Sequence, residues 1–161
     1  MSIVITYLEL DDPGALRPAG PPRIADLEVA RVEPPEGAVN RWFYAEVGRH
    51  HNWTDHVGRS AAAWRAWAEG VETWVATAAG ERAGYYELRV DGEGVELAYF
   101  GVLPAFQGQG LGGFLLTHAL RRGLELAPRV WVHTNTQDGA AALPNYRARG
   151  MRPFRTVVLE R

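Results

Sequence analysis

The stretch that decides the reading is Val95–Leu126, VELAYFGVLPAFQGQGLGGFLLTHALRRGLEL. Its first part is apolar and β-prone at Val95, Leu97, Tyr99 and Phe100, and Pro104 closes it, which predicts a strand. Its last part repeats Leu111, Phe114, Leu115, Leu116, Ala119 and Leu120 near helical spacing, which predicts a helix from Gln109 to Leu126. Between them stands Gln107-Gly108-Gln109-Gly110-Leu111-Gly112-Gly113. Glycines at a helix start leave the backbone bare. An anion can then approach the unpaired N–H groups of the first turn, and the helix dipole favours its negative charge.

Two patterns fit this loop. Gly108, Gly110 and Gly113 spell Gly-x-Gly-x-x-Gly, the dinucleotide fingerprint. That domain needs several more parallel strands and an acidic residue ending the next one. Only residues 114–161 follow, with a strand at Arg129–Thr134, a short helix at Ala140–Arg147 and a closing strand at Met151–Leu159. A turn that merely packs a helix on a sheet is the plain alternative. The second pattern, Gln107-x-x-Gly110-x-Gly112, resembles the pyrophosphate loop of the GNAT superfamily of acyl-CoA N-acyltransferases. Val102 and Pro104 supply the usual lead-in. Further on, Asn145-Tyr146-Arg147-Ala148-Arg149-Gly150-Met151 resembles the Tyr-x-x-x-Gly-Phe pattern of the same superfamily, with Met151 in place of Phe.

The resemblance implies a mixed α/β fold: a central, mostly antiparallel sheet of six to seven strands with one parallel pair, flanked by about four helices, in a single domain over 1–161. It implies transfer of acetyl from acetyl-CoA to a primary amine by direct attack in a ternary complex. On that resemblance the backbone of Gln107, Gly108, Gln109, Gly110, Leu111, Gly112 and Gly113 binds the pyrophosphate. The strand edge at Phe100, Gly101 and Val102 holds the pantetheine arm. Tyr146 takes the place of the general acid beside the coenzyme sulfur, and Glu96 that of a base glutamate in the histone-acetyltransferase branch. The first two helices and their joining loop form the acceptor side, which places His51, Trp53 and His56 near substrate. His51 and His56 compete with Glu96 as base, since imidazole titrates near neutrality. Asp138 and Gly139 stand where several family members carry an asparagine, and Asn135 lies farther upstream.

The remaining chain agrees with this frame. Ser2–Leu10 and Arg23–Val32 read as extended segments, Ala38–Val47 as a helix, and Ala61–Glu69 as a second helix capped by Ser60. Glu72–Ala79 and Arg82–Val90 form a hairpin, and Asp91-Gly92-Glu93-Gly94 turns into the deciding strand. Strict alternation would put Glu96, Ala98, Phe100 and Val102 on one face. Five of the six tryptophans lie between Trp42 and Trp74; Trp42, Trp64 and Trp74 read as core anchors, and Trp53 as part of an aromatic acceptor pocket.

Composition limits the rest. A net charge of −2 gives no bias toward nucleic acid or an anionic membrane. There is no cysteine, which excludes a thioester on the protein itself. His50, His51, Asp55 and His56 match no strong metal spacing, so no metal is expected. No apolar run approaches the ~20 residues of a membrane span, and no leader opens the chain, so a cytoplasmic protein is expected. The acceptor is read as a small-molecule or peptide amine, with a homodimer left open. Two rival functions stand beside this one: a non-catalytic acyl-CoA-binding module on the same fold, and a nucleotide-binding oxidoreductase. A P-loop NTPase is excluded because no Gly-Lys-Ser/Thr follows the glycines.

Overall fold

A computed structural model describes residues 2–51, 53–92 and 94–160; Asn52 of the histidine loop and Glu93 of the second turn lie outside the described residues. The elements are β1 (Ser2–Leu10), β2 (Leu27–Arg31), α1 (Gly37–Gly48), α2 (Ala61–Glu69), β3 (Glu72–Ala78), β4 (Glu81–Asp91), β5 (Gly94–Val102), α3 (Leu111–Leu126), β6 (Arg129–Asn135), α4 (Ala142–Ala148) and β7 (Arg152–Glu160). The strands form one seven-stranded sheet in the order β2-β3-β4-β5-β6-β1-β7. Every pairing is antiparallel except β5 with β6. The expected mixed sheet with one parallel pair is therefore present.

Two faces of this sheet are covered by different helices. On one, Tyr86, Leu88, Val95 and Leu97 pack against Leu111, Leu115, Leu116, Ala119 and Leu120 of α3 in the main core. On the other, Val39, Phe43 and Val47 of α1 close over Tyr85, and the Phe43 and Tyr85 rings stack at 4.5 Å. The Ser60 hydroxyl caps α2 by accepting from the Ala63 N–H at 3.1 Å, and Trp64 and Ala68 face inward as the spacing predicts.

Several expectations are corrected. Trp42 is no core anchor: it is 37% exposed, because residues 39, 43 and 47 take the buried face of α1, and the Arg82 guanidinium covers its ring at 4.8 Å. Of Arg23–Val32 only Leu27–Arg31 is strand. Arg23 turns instead to the glycine loop, donating its N–H to the Gln109 carbonyl at 2.7 Å and Nη2 to the Gly108 carbonyl at 3.0 Å. Helix α3 starts at Leu111 rather than Gln109, because Gly110 at φ 87° is left-handed. Helix α4 starts at Ala142 rather than Ala140.

The sheet is irregular where it matters most. β5 pairs with β6 only from Gly94 opposite Arg129 to Glu96 opposite Trp131, and the two strands then part. β5 also bulges. Leu97 faces Leu88 and Tyr99 faces Glu87, leaving Ala98 without a partner in β4. Leu97, Phe100 and Val102 consequently share the α3 face, while Tyr99 turns to α1. The expected grouping of Glu96 with Phe100 is overturned: one extra residue flips the alternation, and Glu96 lies on the face of Tyr99 and Gly101.

Gly101 lets α1 approach this strand. A Cβ there would overlap the Val47 Cγ1 methyl. Gly101→Ala should destabilise the fold by about 1–3 kcal/mol, the scale of overpacking. The double variant Gly101→Ala/Val47→Ala should lose less than the sum of the two single changes in denaturant titration, because the second substitution removes the clash.

Candidate active site

The parting of β5 and β6 opens a cavity of about 1050 Å³. Phe100, Gly101, Val102, Gln107, Gly108 and Gly112 line one end, and His51, Trp53 and His56 the other. Tyr146 and Glu96 also line it. Gln109, Gly110, Leu111 and Gly113 do not: Leu111 is buried in the core, and a Cβ on Gly113 would sit 2.9 Å from both Ala19 Cβ and Arg149 Nη1. Gly113 thus serves helix packing.

The loop is shaped by two left-handed glycines, Gly108 at φ 77° and Gly110 at φ 87°. No side chain caps α3, and Phe114 is the first residue whose N–H reaches a helix carbonyl, that of Gly110 at 3.3 Å. Bare amides at the positive end of a 16-residue helix are a seat for an anion. Gln109 Nε2 donates to the Ala105 carbonyl at 3.4 Å, and three further side chains hold the loop in place. Gln107 Nε2 donates to the Val102 carbonyl at 3.1 Å, Asn145 Nδ2 to that of Gly112 at 3.1 Å, and Arg23 to that of Gly108.

Tyr146 is 7% exposed, with its ring edge-on to Phe100 at 6.5 Å. Burial, helped by the charge of Asp138, pushes its phenol pKa up, so it holds its proton at neutral pH. The ring belongs to the main core, and no hydrogen-bond partner for its hydroxyl occurs among the described residues.

Glu96 is 8% exposed, and its Oε1 accepts from Arg89 Nε at 3.1 Å and Nη2 at 2.7 Å. Its Oε2 stands 4.0 Å from His133 Nε2. The His56 pKa is lowered by burial and by Arg59, with Asp55 opposing, so its imidazole is neutral at pH 7. His51 brings two loops together: a Cβ on Gly139 would lie 3.2 Å from its Cε1, so the loop after α1 touches the loop after β6. Trp53 packs on Tyr99 at 5.2 Å and on Tyr44 at 5.7 Å.

Sequence reading missed Tyr44, Trp67, Tyr99, Arg89 and His133, all of which line the cavity. The alternation in Val130-Trp131-Val132-His133 carried a signal for the last of these, since Val130 and Val132 are buried while His133 faces Glu96. Among the described residues no cluster of three or more His, Cys, Asp or Glu is arranged to hold a metal ion, and no helix is long and apolar enough to cross a membrane.

Residues 38–151 match the acetyltransferase (GNAT) family, and the chain belongs to that family. Among solved structures it resembles a GCN5-related N-acetyltransferase from Kribbella flavida, with a TM-score of 0.66 and 23% identity over 96% of this chain and 56% of that one. A GCN5-related N-acetyltransferase from Sphaerobacter thermophilus gives a TM-score of 0.60 and 15% identity over 98% and 50%. A tandem GNAT protein from the clavulanic acid biosynthesis pathway gives 0.62 and 20% over 98% and 51%. The chain thus spans between 50% and 56% of the length of these three. No curated protein sequence matches it.

Behind the cavity wall lies a buried carboxylate. Glu87, 1% exposed, accepts from Asn40 Nδ2 at 2.9 Å and from the Trp67 indole N–H. Burial outweighs both hydrogen bonds and the charge of Arg59, and pushes its pKa up to about 7. A raised carboxyl pKa means that the folded state keeps a proton the unfolded chain has released. Stability should therefore fall as pH rises from about 4.5 to 7. Glu87→Gln removes the titration, and the unpaired Asn40 Oδ1 can turn to accept from the new amide. Thermal melts should show Glu87→Gln more favourable relative to the parent at pH 8 than at pH 5, by roughly 3 kcal/mol at most.

Proposed function

We propose that the protein is an N-acetyltransferase that moves acetyl from acetyl-CoA to a primary amine by direct attack. The observation that carries this reading is that Gly112, in the uncapped first turn of α3, and Tyr146, whose hydroxyl has no partner among the described residues, line one cavity. Acetyl-CoA, when bound, supplies an activated thioester. The first-turn amides of α3 neutralise the pyrophosphate, and Arg23 adds positive charge beside Gly108. The edge of β5 that β6 leaves free, around Phe100–Val102, offers main-chain groups to the amides of the pantetheine arm.

An alkylamine has a pKa near ~10.4, so exposing its free base at neutral pH costs about 4–5 kcal/mol. Glu96 Oε2, the oxygen left free by Arg89, takes that proton through a water molecule. Tyr146 donates to the departing sulfur. With no cysteine in the chain, acetyl passes straight to the amine rather than through a thioester on the protein. The rival reading, a non-catalytic acyl-CoA-binding module, leaves Tyr146 without a task.

The test is thiol release from acetyl-CoA with a panel of primary amines. Acetyl-CoA alone should raise Tm by mass action on the folded state. Tyr146→Phe should keep that shift while kcat falls on the order of 100-fold. A loss of stability with unchanged turnover would make the hydroxyl structural.

Glu96→Gln should lower kcat/KM for the amine and weaken its rise with pH, with the acetyl-CoA thermal shift intact. If Glu96→Gln keeps the parental pH profile while His56→Ala or His51→Ala flattens it, the base is the loop histidine.

A further inference from the structure

The acceptor end of the cavity is walled by aromatic rings. Tyr99 is their hub, with Trp53 at 5.2 Å and 61°, Tyr44 at 5.7 Å and 82°, and Trp67 at 6.0 Å and 74°. Tyr44 is buried and forms the base of the wall. Trp53, Trp67 and Tyr99 are only partly buried and line the cavity. Steeply inclined ring planes make a corner in which one group can meet several π faces at once.

The charges around this corner are unbalanced. Among the described residues the cavity is lined by Asp55, Glu96 and Asp138 against the single cation Arg89, and Arg89 is consumed by Glu96. Glu87 holds the Trp67 indole N–H from behind, which fixes that ring plane, and the Arg59 guanidinium covers a face of Trp67 at 5.2 Å. Aromatic faces in an acidic setting bind cations.

A constraint of the reaction then decides which cation. The amine that attacks must be neutral. An aromatic box that held this nitrogen as ammonium would stabilise its unreactive form and slow the reaction. The box can favour catalysis only by holding a different positive charge on the same molecule. The box is also placed for that. Bulging puts Tyr99 on the α1 face of β5, opposite the face where Phe100 meets Tyr146.

We propose that the acceptor carries two cationic nitrogens, one seated and still charged against Trp53, Trp67 and Tyr99, the other neutral and attacking. This deepens the acetyltransfer reading above and rests on it. The substrate class is an aliphatic diamine, or a primary amine with a quaternary ammonium at the far end.

Three acceptors of equal chain length test it with acetyl-CoA: n-pentylamine, 1,5-diaminopentane and (5-aminopentyl)trimethylammonium. Both dications should exceed pentylamine in kcat/KM by roughly tenfold or more. Tetramethylammonium chloride, which has no nitrogen to acetylate, should compete with the amine and not with acetyl-CoA, against sodium chloride at matched ionic strength. It should also quench tryptophan fluorescence saturably without acetyl-CoA. Trp53→Leu should abolish both the preference and the quenching, and Asp55→Asn, an exposed change that leaves the rings intact, should weaken them. Equal rates for pentylamine and the dications, with no competition by tetramethylammonium, would overturn the proposal, as would a preference for benzylamine over all three. If no amine turns over, the acetyltransfer reading fails; the box is then judged by fluorescence alone, where absence of Trp53-dependent quenching overturns it.

Discussion

Everything at the candidate site depends on β5 and β6 separating after Glu96 and Trp131. A parallel pair that continued would fill the fork with its own hydrogen bonds. Here β5 is held by β4 along Gly84–Asp91 and β6 by β1 along Ile5–Leu10, so each strand is anchored on its far side and the two can diverge without unravelling. The β5 main-chain groups facing the gap have lost their ladder partners. Leaving such groups buried and unpaired costs about 1–3 kcal/mol each, so a gap of this kind is stable only if water or a ligand enters it. The crossover completes the arrangement. α3 begins where β5 ends, so its positive end lies at the mouth of the same fork.

The bulge at Ala98 determines what the fork contains. Without it, Glu96 and Phe100 would share a face, and Tyr99 would point into the α3 core. With it, Leu97 and Phe100 both enter that core, while Tyr99 joins Tyr44, Trp53 and Trp67 on the opposite side. A single unpaired residue thus separates the face where Phe100 meets Tyr146 from the one that carries Tyr99 and its aromatic neighbours.

This explains which features were legible in the sequence. The glycine loop and α3 were readable because their signals are local: left-handed glycines, then helical spacing. The seven strands and the parallel pair followed from turns and crossover length. The bulge was not readable, because nothing within VELAYFGV distinguishes a regular strand from one whose partner skips a residue; the cause lies in the register with β4. Trp42 was misplaced for a related reason. It flanks the apolar stripe of α1, and only the crossing of α1 over Gly101 and Tyr85 shows where that stripe ends. Arg23 was lost to a strand assignment because its hydrogen bonds reach residues 85 and 86 positions away in sequence.

The cavity is electrically polarised along its length, and the two ends ask opposite things of the protein. The end at the α3 N-terminus presents backbone amides and a surface arginine, Arg23. Toward Tyr99, aromatic rings and carboxylates share the lining, and burying a carboxylate among rings carries a desolvation penalty. Glu87 shows that cost. Burial raises its pKa toward neutrality despite two hydrogen-bond donors and a nearby guanidinium. A leucine there would remove the desolvation penalty and leave the Trp67 indole N–H and the Asn40 amide without their acceptor. The carboxyl group therefore serves as the shared acceptor for these two donors, at the expense of its own ionisation. Part of the fold's stability is exchanged for the orientation of the Trp67 ring in the cavity wall, as expected where a buried titratable group borders a cavity rather than lying within a core.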